Sequence, residues 1–300
     1  MNRREFSQRL VGIAAGHAFL RDGFDIVPST EGFQFSVMLW TLEKQASIER
    51  SMEIVAAAGY SGIELVNEFE KWSTQDTRRM MAKMSSLKLT IDAISGGKFT
   101  LADPAASNMV LKQLALRIAV AKELGCPQLI LTSGKRVDGL SQDAQRSAMV
   151  GTLKRVAELA SKNNIQVVIE PIDLLENPTA YLNSVTQGFE IVRAVGSPHV
   201  AVLYDFYHEQ RAGGNLIEKL EDNIDWVGLV HVADVPGRHD PGTGEIDYFN
   251  IYRKLAELKY TKYIAMEYFP MGDPVASLKS ARSTALQAEH RPFSSVHAVE

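Results

Sequence analysis

The sequence contains a single cysteine, Cys126, among its 300 residues, so no internal disulfide can form. The segment around it, ELGCPQLILTSG, is apolar and predicts the entry to a buried strand. We therefore expect Cys126 to be an unreactive core thiol. After the first 20 residues the chain also lacks any run of about 18 apolar residues without charges, which argues against a later membrane span.

An excess of basic residues is also absent. Lys and Arg number 32 against 36 Asp and Glu, which gives a formal net charge of −4. We therefore expect no nucleic-acid partner, because such a chain has no surplus positive charge to neutralise phosphates. Hydrophobic residues make up 45% and charged residues 23%, an ordinary globular composition that excludes disordered and fibrous classes. A chain of this length buries a large core without help from disulfides or metals.

The amino terminus, MNRREFSQRLVGIAAGHAFLRDGF, differs in character from the remainder. Arg3 and Arg4 precede a short apolar run from Leu10 to Leu20, an order that resembles a bacterial twin-arginine export signal. His17 interrupts the run and no clean A-x-A cleavage site follows, so an amphipathic helix on a cytoplasmic protein is the alternative. We expect residues 1–32 to be an extension, and periplasmic export is the favoured location.

From residue 33 onward, short apolar runs alternate with amphipathic helical patterns. Such runs, rich in Val, Ile and Leu with little polar alternation, are typical of parallel strands buried on both faces. Eight of them at regular intervals predict a single α/β domain, a (β/α)8 TIM barrel over 33–290, followed by a tail at 291–300. The predicted strands are 33–42, 61–68, 89–96, 128–134, 166–172, 200–208, 226–234 and 263–270.

A doubly wound open sheet is the alternative fold, but it usually has fewer strands. No G-x-G-x-x-G motif follows the first predicted strand, so nothing indicates a dinucleotide site. Gly59, Gly125 and Gly196 fall where the helical patterns end, as expected of helix carboxyl termini.

Metal-competent side chains end four successive predicted strands: Glu170, Asp205, His231 and Glu267. Barrel active sites lie at the carboxyl ends of the strands, so these side chains should meet at one rim. Taken alone, each residue has an ordinary explanation: a glutamate would form a salt bridge at the rim, and His231 would be a hydrogen-bonded core histidine. Together they would be unpaired buried charges, and a shared cation resolves that cost. Three carboxylates and one imidazole suit Mg²⁺ or Mn²⁺, with Co²⁺ or Zn²⁺ tolerated.

The four residues lie in the segments VIEPID (168–173), YDFYHEQ (204–210), HVADVPGRHDPGTGEIDY (231–248) and AMEYFP (265–270). These segments resemble the hydroxypyruvate isomerase family, within the xylose-isomerase-like group of sugar isomerase and epimerase barrels. The resemblance is clear over about 165–270 and looser over 33–164, where the strand–helix rhythm and Glu64 match.

The resemblance implies metal binding by Glu170, Asp205, His231 and Glu267. It also implies that Glu170 and Glu267 are the catalytic acid/base pair. His208 and Arg238 are implied substrate contacts, although loop capping is an alternative for His208.

Three further residues are candidates for substrate binding. Trp40, at the end of the first strand, would form an apolar wall of the pocket or else a core aromatic. Glu245 would hold Arg238 or His239 in place, or make a plain surface salt bridge. Glu64 is the third candidate. Arginine's rigid fork in the glycine-rich loop suits a substrate carboxylate or a hydroxyl pair.

These observations predict a metal-dependent isomerase of small hydroxy-keto acids or sugars that works by enediolate proton transfer. Conversion of hydroxypyruvate to tartronate semialdehyde is the leading reaction, an intramolecular oxidoreduction of the aldose–ketose type. A ketose 3-epimerase, a 2-oxo-tetronate isomerase and a metal-assisted lyase of oxidised sugars are the alternatives. Endonuclease chemistry would call for more than seven histidines and a basic surface, and a non-catalytic sugar-binding protein is disfavoured. The expected partner is a small molecule, and a homo-oligomer is left open.

Overall fold

The computed structural model describes residues 32–291 and contains a closed barrel of eight parallel strands in the order β1 to β8. Each strand lies inside one of the eight runs predicted from the sequence, so the (β/α)8 prediction is confirmed. The first run extends past its strand because the chain turns into a 3₁₀ helix at Leu39–Leu42. The strands are β1 (Gln34–Met38), β2 (Gly62–Leu65), β3 (Thr90–Ser95), β4 (Gln128–Thr132), β5 (Gln166–Glu170), β6 (Val200–Asp205), β7 (Val227–Val232) and β8 (Tyr263–Met266).

Helices follow the strands and cover the outside of the barrel. Several begin at a serine or aspartate whose side chain accepts a hydrogen bond from the first turn, such as Ser141 and Asp273. The α-helices are α1 (Ile48–Ala57), α2 (Thr74–Leu87), α3 (Ser107–Glu123), α4 (Gln142–Asn163), α5 (Val185–Val195), α6 (Phe206–Ala212), α7 (Leu216–Glu221), α8 (Tyr248–Glu257) and α9 (Pro274–Glu289). Gly59, Gly125 and Gly196, placed at helix ends by the sequence, all have positive φ.

Two apolar layers hold the fold together. A large core lies between barrel and helices, and a smaller cluster that includes Val168, Leu203 and Leu229 fills the barrel interior. Side chains alternate between the two faces of a strand, so the residue two positions further along points the same way. Glu170 follows Val168 by two residues, and the other metal-competent side chains continue their strands in the same manner. The strand pattern therefore directs this polar group into the mouth of the barrel.

Cys126 is buried beside β4, and this burial raises the pKa of its thiol, which agrees with an unreactive core cysteine. Across 32–291, no helix is long and apolar enough to cross a membrane. The predicted extension 1–32, with its twin-arginine signal, falls almost wholly at 1–31, and most of the predicted tail falls at 292–300. Both segments lie outside the described residues.

Candidate metal centre and active site

Glu170, Asp205, His231 and Glu267 converge at the carboxyl end of the barrel. Each offers one ligand atom, and these atoms lie within 4.8 Å of one another. All four side chains are buried, and β6–β7 pairing sets Asp205 directly opposite His231. Cation–ligand distances of about 2.0–2.3 Å require ligand atoms about this close. The four residues therefore fit a divalent cation in number, type and spacing.

The two glutamates of this cluster have very different electrostatic surroundings. Burial, with the charge of Glu267 added, raises the pKa of Glu170 to about 7. Burial would also raise the pKa of Glu267, but Arg238 and His231 outweigh it and hold that pKa far below its usual range. Glu170 is therefore poised to exchange a proton near neutral pH, whereas Glu267 is a fixed anion.

Three donors surround the Glu267 carboxylate. Trp40 Nε1 donates to Oε1 at 3.0 Å, while His231 Nδ1 and Arg238 Nη2 lie 2.6 Å and 2.7 Å from Oε2. Trp40 is half-buried, and its ring meets the edge of Phe269 at 5.1 Å between centroids. The structure thus brings Trp40 to the site, where it also serves as a hydrogen-bond donor.

Arg238 lies over the cluster, with all three of its side-chain nitrogens engaged. Nε donates to the Glu267 carbonyl, and Nη2 lies 3.1 Å from Asp205 Oδ2. Nη1 contacts Glu176 at 3.2 Å and His208 Nε2 at 3.3 Å. The guanidinium is thus almost fully buried among three carboxylates. It is at the predicted location, with its charge already matched by protein groups.

The loop that carries Arg238 is organised by Asp234, which is completely buried. Its Oδ1 accepts hydrogen bonds from the backbone N–H groups of Val235 and Ile246, and Oδ2 accepts one from Gly242. Arg238 itself has a φ of +58°, a left-handed conformation that is uncommon for a residue with a Cβ. At Gly244 a side chain would collide with the Val235 carbonyl oxygen. Loop and arginine are therefore held in one arrangement.

His208 belongs to a second polar cluster beside the first. It lies in the first turn of α6, where Nδ1 is 2.7 Å from Asp173 Oδ2 and Nε2 is 3.5 Å from Asp205 Oδ2. Burial alone would lower the pKa of His208, but the two aspartates raise it. Arg211 Nη1 reaches Asp173 at 3.3 Å and Glu176 at 3.4 Å. The structure brings His208 to the site, joined to it through Asp205 and Arg238.

Two of the predicted substrate contacts are placed elsewhere. Glu245 is exposed and accepts a hydrogen bond from Gln210 at 3.1 Å, so the expectation that it holds Arg238 or His239 is wrong. Glu64 has no exposed surface and lies 2.9 Å from His231 Nε2, on the interior side of the cluster. A substrate-contacting role does not agree with this position, because the side chain offers no accessible atom.

Sequence reasoning missed Asp173, Glu176, Arg211 and Asp234. A signal existed for some of them, since Asp173 follows the end of β5 by three residues and Arg211 follows His208 by one helical turn. Asp234 follows β7 by two residues, at the head of the run already singled out. Their side chains contact Arg238, His208, one another or the loop after β7 rather than the four ligand residues. A search for polar residues at strand ends therefore does not find them.

Comparison with known proteins identifies the family. The sequence profile described as xylose isomerase-like TIM barrel matches residues 52–288, most of the chain. The chain belongs to this family. The hydroxypyruvate isomerase of Escherichia coli K12 is 25% identical over 252 residues, which is 82% of this chain and 97% of the relative.

A 2-oxo-tetronate isomerase from Pectobacterium atrosepticum is 30% identical over 158 residues, covering 53% of this chain and 60% of that protein. Both curated relatives are isomerases, which agrees with the prediction of an isomerase. A solved structure described as an AP endonuclease of family 2 from Brucella melitensis aligns with a TM-score of 0.75 at 23% identity, covering 82% of this chain and 97% of the other. At that identity the likeness concerns the fold alone.

Proposed function

We propose that this protein is a metal-dependent isomerase that converts hydroxypyruvate to tartronate semialdehyde by proton transfer between adjacent carbons. The observation that carries the proposal is the pairing, in one buried cluster, of a glutamate with a pKa of about 7 and a glutamate held as an anion. Carboxylates whose surroundings push their pKa values apart suit acid–base chemistry. Similarity to curated isomerases supports the same reaction class.

The cation would be held by Glu170, Asp205, His231 and Glu267, with Mg²⁺ or Mn²⁺ favoured by the oxygen-rich set. When bound, it supplies positive charge that stabilises negative charge developing on the substrate oxygens. Among the protein groups, burial and nearby charge set the pKa of Glu170, while three hydrogen-bond donors hold the carboxylate of Glu267 in place.

In the proposed reaction Glu170 removes a proton from carbon 3 of hydroxypyruvate, and the electron pair of the broken C–H bond forms a C2–C3 double bond. The π electrons of the C2 carbonyl pass to its oxygen, and the proton then returns from Glu170 to carbon 2, because Glu267 is held as an anion and has no proton to give. The hydroxyl proton passes from the oxygen on carbon 3 to the oxygen on carbon 2, which gives tartronate semialdehyde. Atoms and electrons balance without any oxidant or reductant.

Arg238 and His208 would bind the polar end of the substrate. The guanidinium matches a carboxylate in a bidentate manner. Its present partners Asp205 and Glu267 are also the proposed cation ligands. A bound cation would therefore share these two carboxylates with Arg238, whose guanidinium would be placed to bind a substrate carboxylate. Trp40 would close the pocket on the side of β1.

The test is a substrate panel followed by NMR in deuterated water. Purified protein is incubated with hydroxypyruvate, tetruloses, pentuloses and hexuloses, with Mn²⁺ or with a chelator. We expect deuterium to enter beside the carbonyl of hydroxypyruvate only when metal is present. Exchange on a neutral ketose instead would move the assignment to a ketose 3-epimerase or sugar isomerase. Exchange on a four-carbon oxo acid would move it to a 2-oxo-tetronate isomerase, and elimination of water or an alcohol would indicate a lyase.

A further inference from the structure

Two aromatic rings lie against the guanidinium of Arg238, in addition to its polar partners. The Cζ atom of Arg238 is 4.9 Å from the ring centre of Tyr207 and 5.8 Å from that of Trp40. Both are cation–π contacts, in which the cation lies over the electron-rich face of a ring. The Tyr207 side chain is buried, and such contacts are strongest where water is excluded.

The side chain of Tyr207 is held at both of its ends. Tyr207 lies in the first turn of α6, where its backbone N–H donates to Asp205 Oδ1 at 2.8 Å. At the far end, the hydroxyl accepts a hydrogen bond from Arg211 Nη1 at 2.6 Å, and Arg211 follows Tyr207 by one helical turn. Two carboxylates of the loop after β5 anchor this arginine in turn, at 3.3 Å and 3.4 Å. The ring is therefore fixed in its place against Arg238.

Aromatic and ionic partners use different parts of a guanidinium group. Ion pairs use the N–H groups, which lie in the guanidinium plane, whereas an aromatic ring can contact the face of that plane. Asp205 and Glu267 are also the proposed cation ligands, so a bound cation would share them with Arg238. A tyrosine ring is neutral and occupies no N–H donor. It can therefore hold the guanidinium in place while the donors bind a substrate carboxylate.

We propose that Tyr207 is a positioning residue for Arg238, and that its ring rather than its hydroxyl has this role. The inference rests on the proposed function, because a substrate carboxylate is the group that the positioned guanidinium would bind. The hydroxyl is dispensable in this arrangement, since Arg211 keeps its two carboxylate partners without it. Tyr207 thus sets the affinity for acidic substrates through Arg238.

The first test measures KM for hydroxypyruvate and kcat in Tyr207→Leu, which removes the ring, and in Tyr207→Phe, which keeps it. Tyr207→Leu should raise KM about tenfold with kcat within about threefold of wild type, since loss of uniform binding changes KM alone. Tyr207→Phe should restore KM to within about threefold of wild type. Tyr60→Leu is the matched control and should leave KM unchanged. Tyr60 is buried to a similar degree and lies at the amino end of the barrel, two residues before β2.

The same substitution in an Arg238→Met background shows whether Tyr207 acts through Arg238. There Tyr207→Leu should change KM less than about twofold, because the group that it positions is already gone. An unchanged KM in Tyr207→Leu alone, or an equal rise in Tyr207→Phe, would overturn the inference. So would a loss confined to kcat, or a full loss in the Arg238→Met background.

A second test does not require turnover. Proton NMR signals of the Arg238 side chain are identified by their absence in Arg238→Met, and an aromatic face shifts nearby protons upfield. We expect the Cδ protons of Arg238 to lie upfield of those of exposed arginines in wild type and Tyr207→Phe, and closer to them in Tyr207→Leu. Ordinary Cδ shifts in wild type would overturn the inference, whether or not Tyr207→Leu folds. The expected shifts in a protein inactive on the whole substrate panel would remove the isomerase proposal and leave the positioning of Arg238 intact.

Discussion

Replacement of Glu170 by Gln should remove activity and, at the same time, stabilise the metal-free protein in a pH-dependent way. The folded protein raises the pKa of Glu170 from its ordinary value of 4.5 to about 7. A carboxyl group with a raised folded-state pKa favours folding below pH 4.5, and that contribution is lost as the pH rises to 7. Above pH 7 wild type therefore carries a buried charge that the neutral glutamine lacks.

The size of this effect follows from the two pKa values. Their difference, at 1.36 kcal/mol per pKa unit, corresponds to roughly 3 kcal/mol at pH 8. At pH 5 the folded carboxyl is still protonated and the unfolded one only partly ionised, so the difference falls to about 1 kcal/mol. At roughly 2 °C per kcal/mol for a chain of this size, Glu170→Gln should melt about 6 °C above wild type at pH 8.

The assay is denaturant unfolding of both proteins at pH 5 and pH 8 with a chelator present. Glu245→Gln is the control, because its carboxylate is exposed and its removal should change stability by less than about 0.5 kcal/mol. Addition of Mn²⁺ should stabilise wild type far more than Glu170→Gln, which lacks one ligand. A Glu170→Gln protein no more stable than wild type at pH 8, or equally stabilised at both pH values, would refute the reasoning. Turnover should fall by about 10²–10⁴-fold.

Three further predictions concern the substrate, the cation and the amino terminus. Arg238→Met should raise KM for hydroxypyruvate at least about tenfold and affect a neutral tetrulose much less; equal losses of kcat/KM on both would assign Arg238 to the loop or the enediolate. As the pH is raised toward 7, Mn²⁺ affinity should increase by up to about tenfold per pH unit, because Glu170 must release its proton to bind the ion. Titrations of the protein with Mn²⁺ in two buffers measure this, and an affinity that does not change from about pH 5.5 to 7.5 would contradict it. Fractionation of cells expressing the full chain should place the protein in the periplasm, and Arg3→Lys with Arg4→Lys should retain it in the cytoplasm. Wild type found only in the cytoplasm with its amino terminus intact would favour the amphipathic helix.

The sequence predicts the fold well because two local signals agree along the second half of the chain. Apolar runs of strand length alternate with helical patterns, and a polar residue marks where most of the later strands end. Glu170 and Asp205 are the last residues of β5 and β6, and His231 is one residue from the end of β7, so the alternation of faces sends all three inward together. Neither signal needs knowledge of distant contacts, so both can be read from one sequence.

Depth and loop direction are harder to predict. Glu64 looks like the other strand-end acids, yet it is fully buried and its carboxyl group contacts that of Asp92. Glu245 is only seven residues from Arg238, but the loop between them turns it to solvent. The position of Arg238 depends on Asp234, whose hydrogen bonds reach residues as far as Ile246. Such placements arise from tertiary contacts that spacing along the chain does not encode.

The four metal-competent residues all come from the second half of the barrel, β5 to β8, together with the loop that holds Arg238. From the first half, Trp40 donates a hydrogen bond to Glu267, and Glu64 lies 2.9 Å from His231 Nε2. Under the proposed function, the cation ligands and the substrate contacts His208 and Arg238 would thus lie on one continuous stretch of the chain, from Glu170 to Glu267. The loops after β2, β3 and β4 hold none of these residues, so variation in those loops would leave the reacting groups in place.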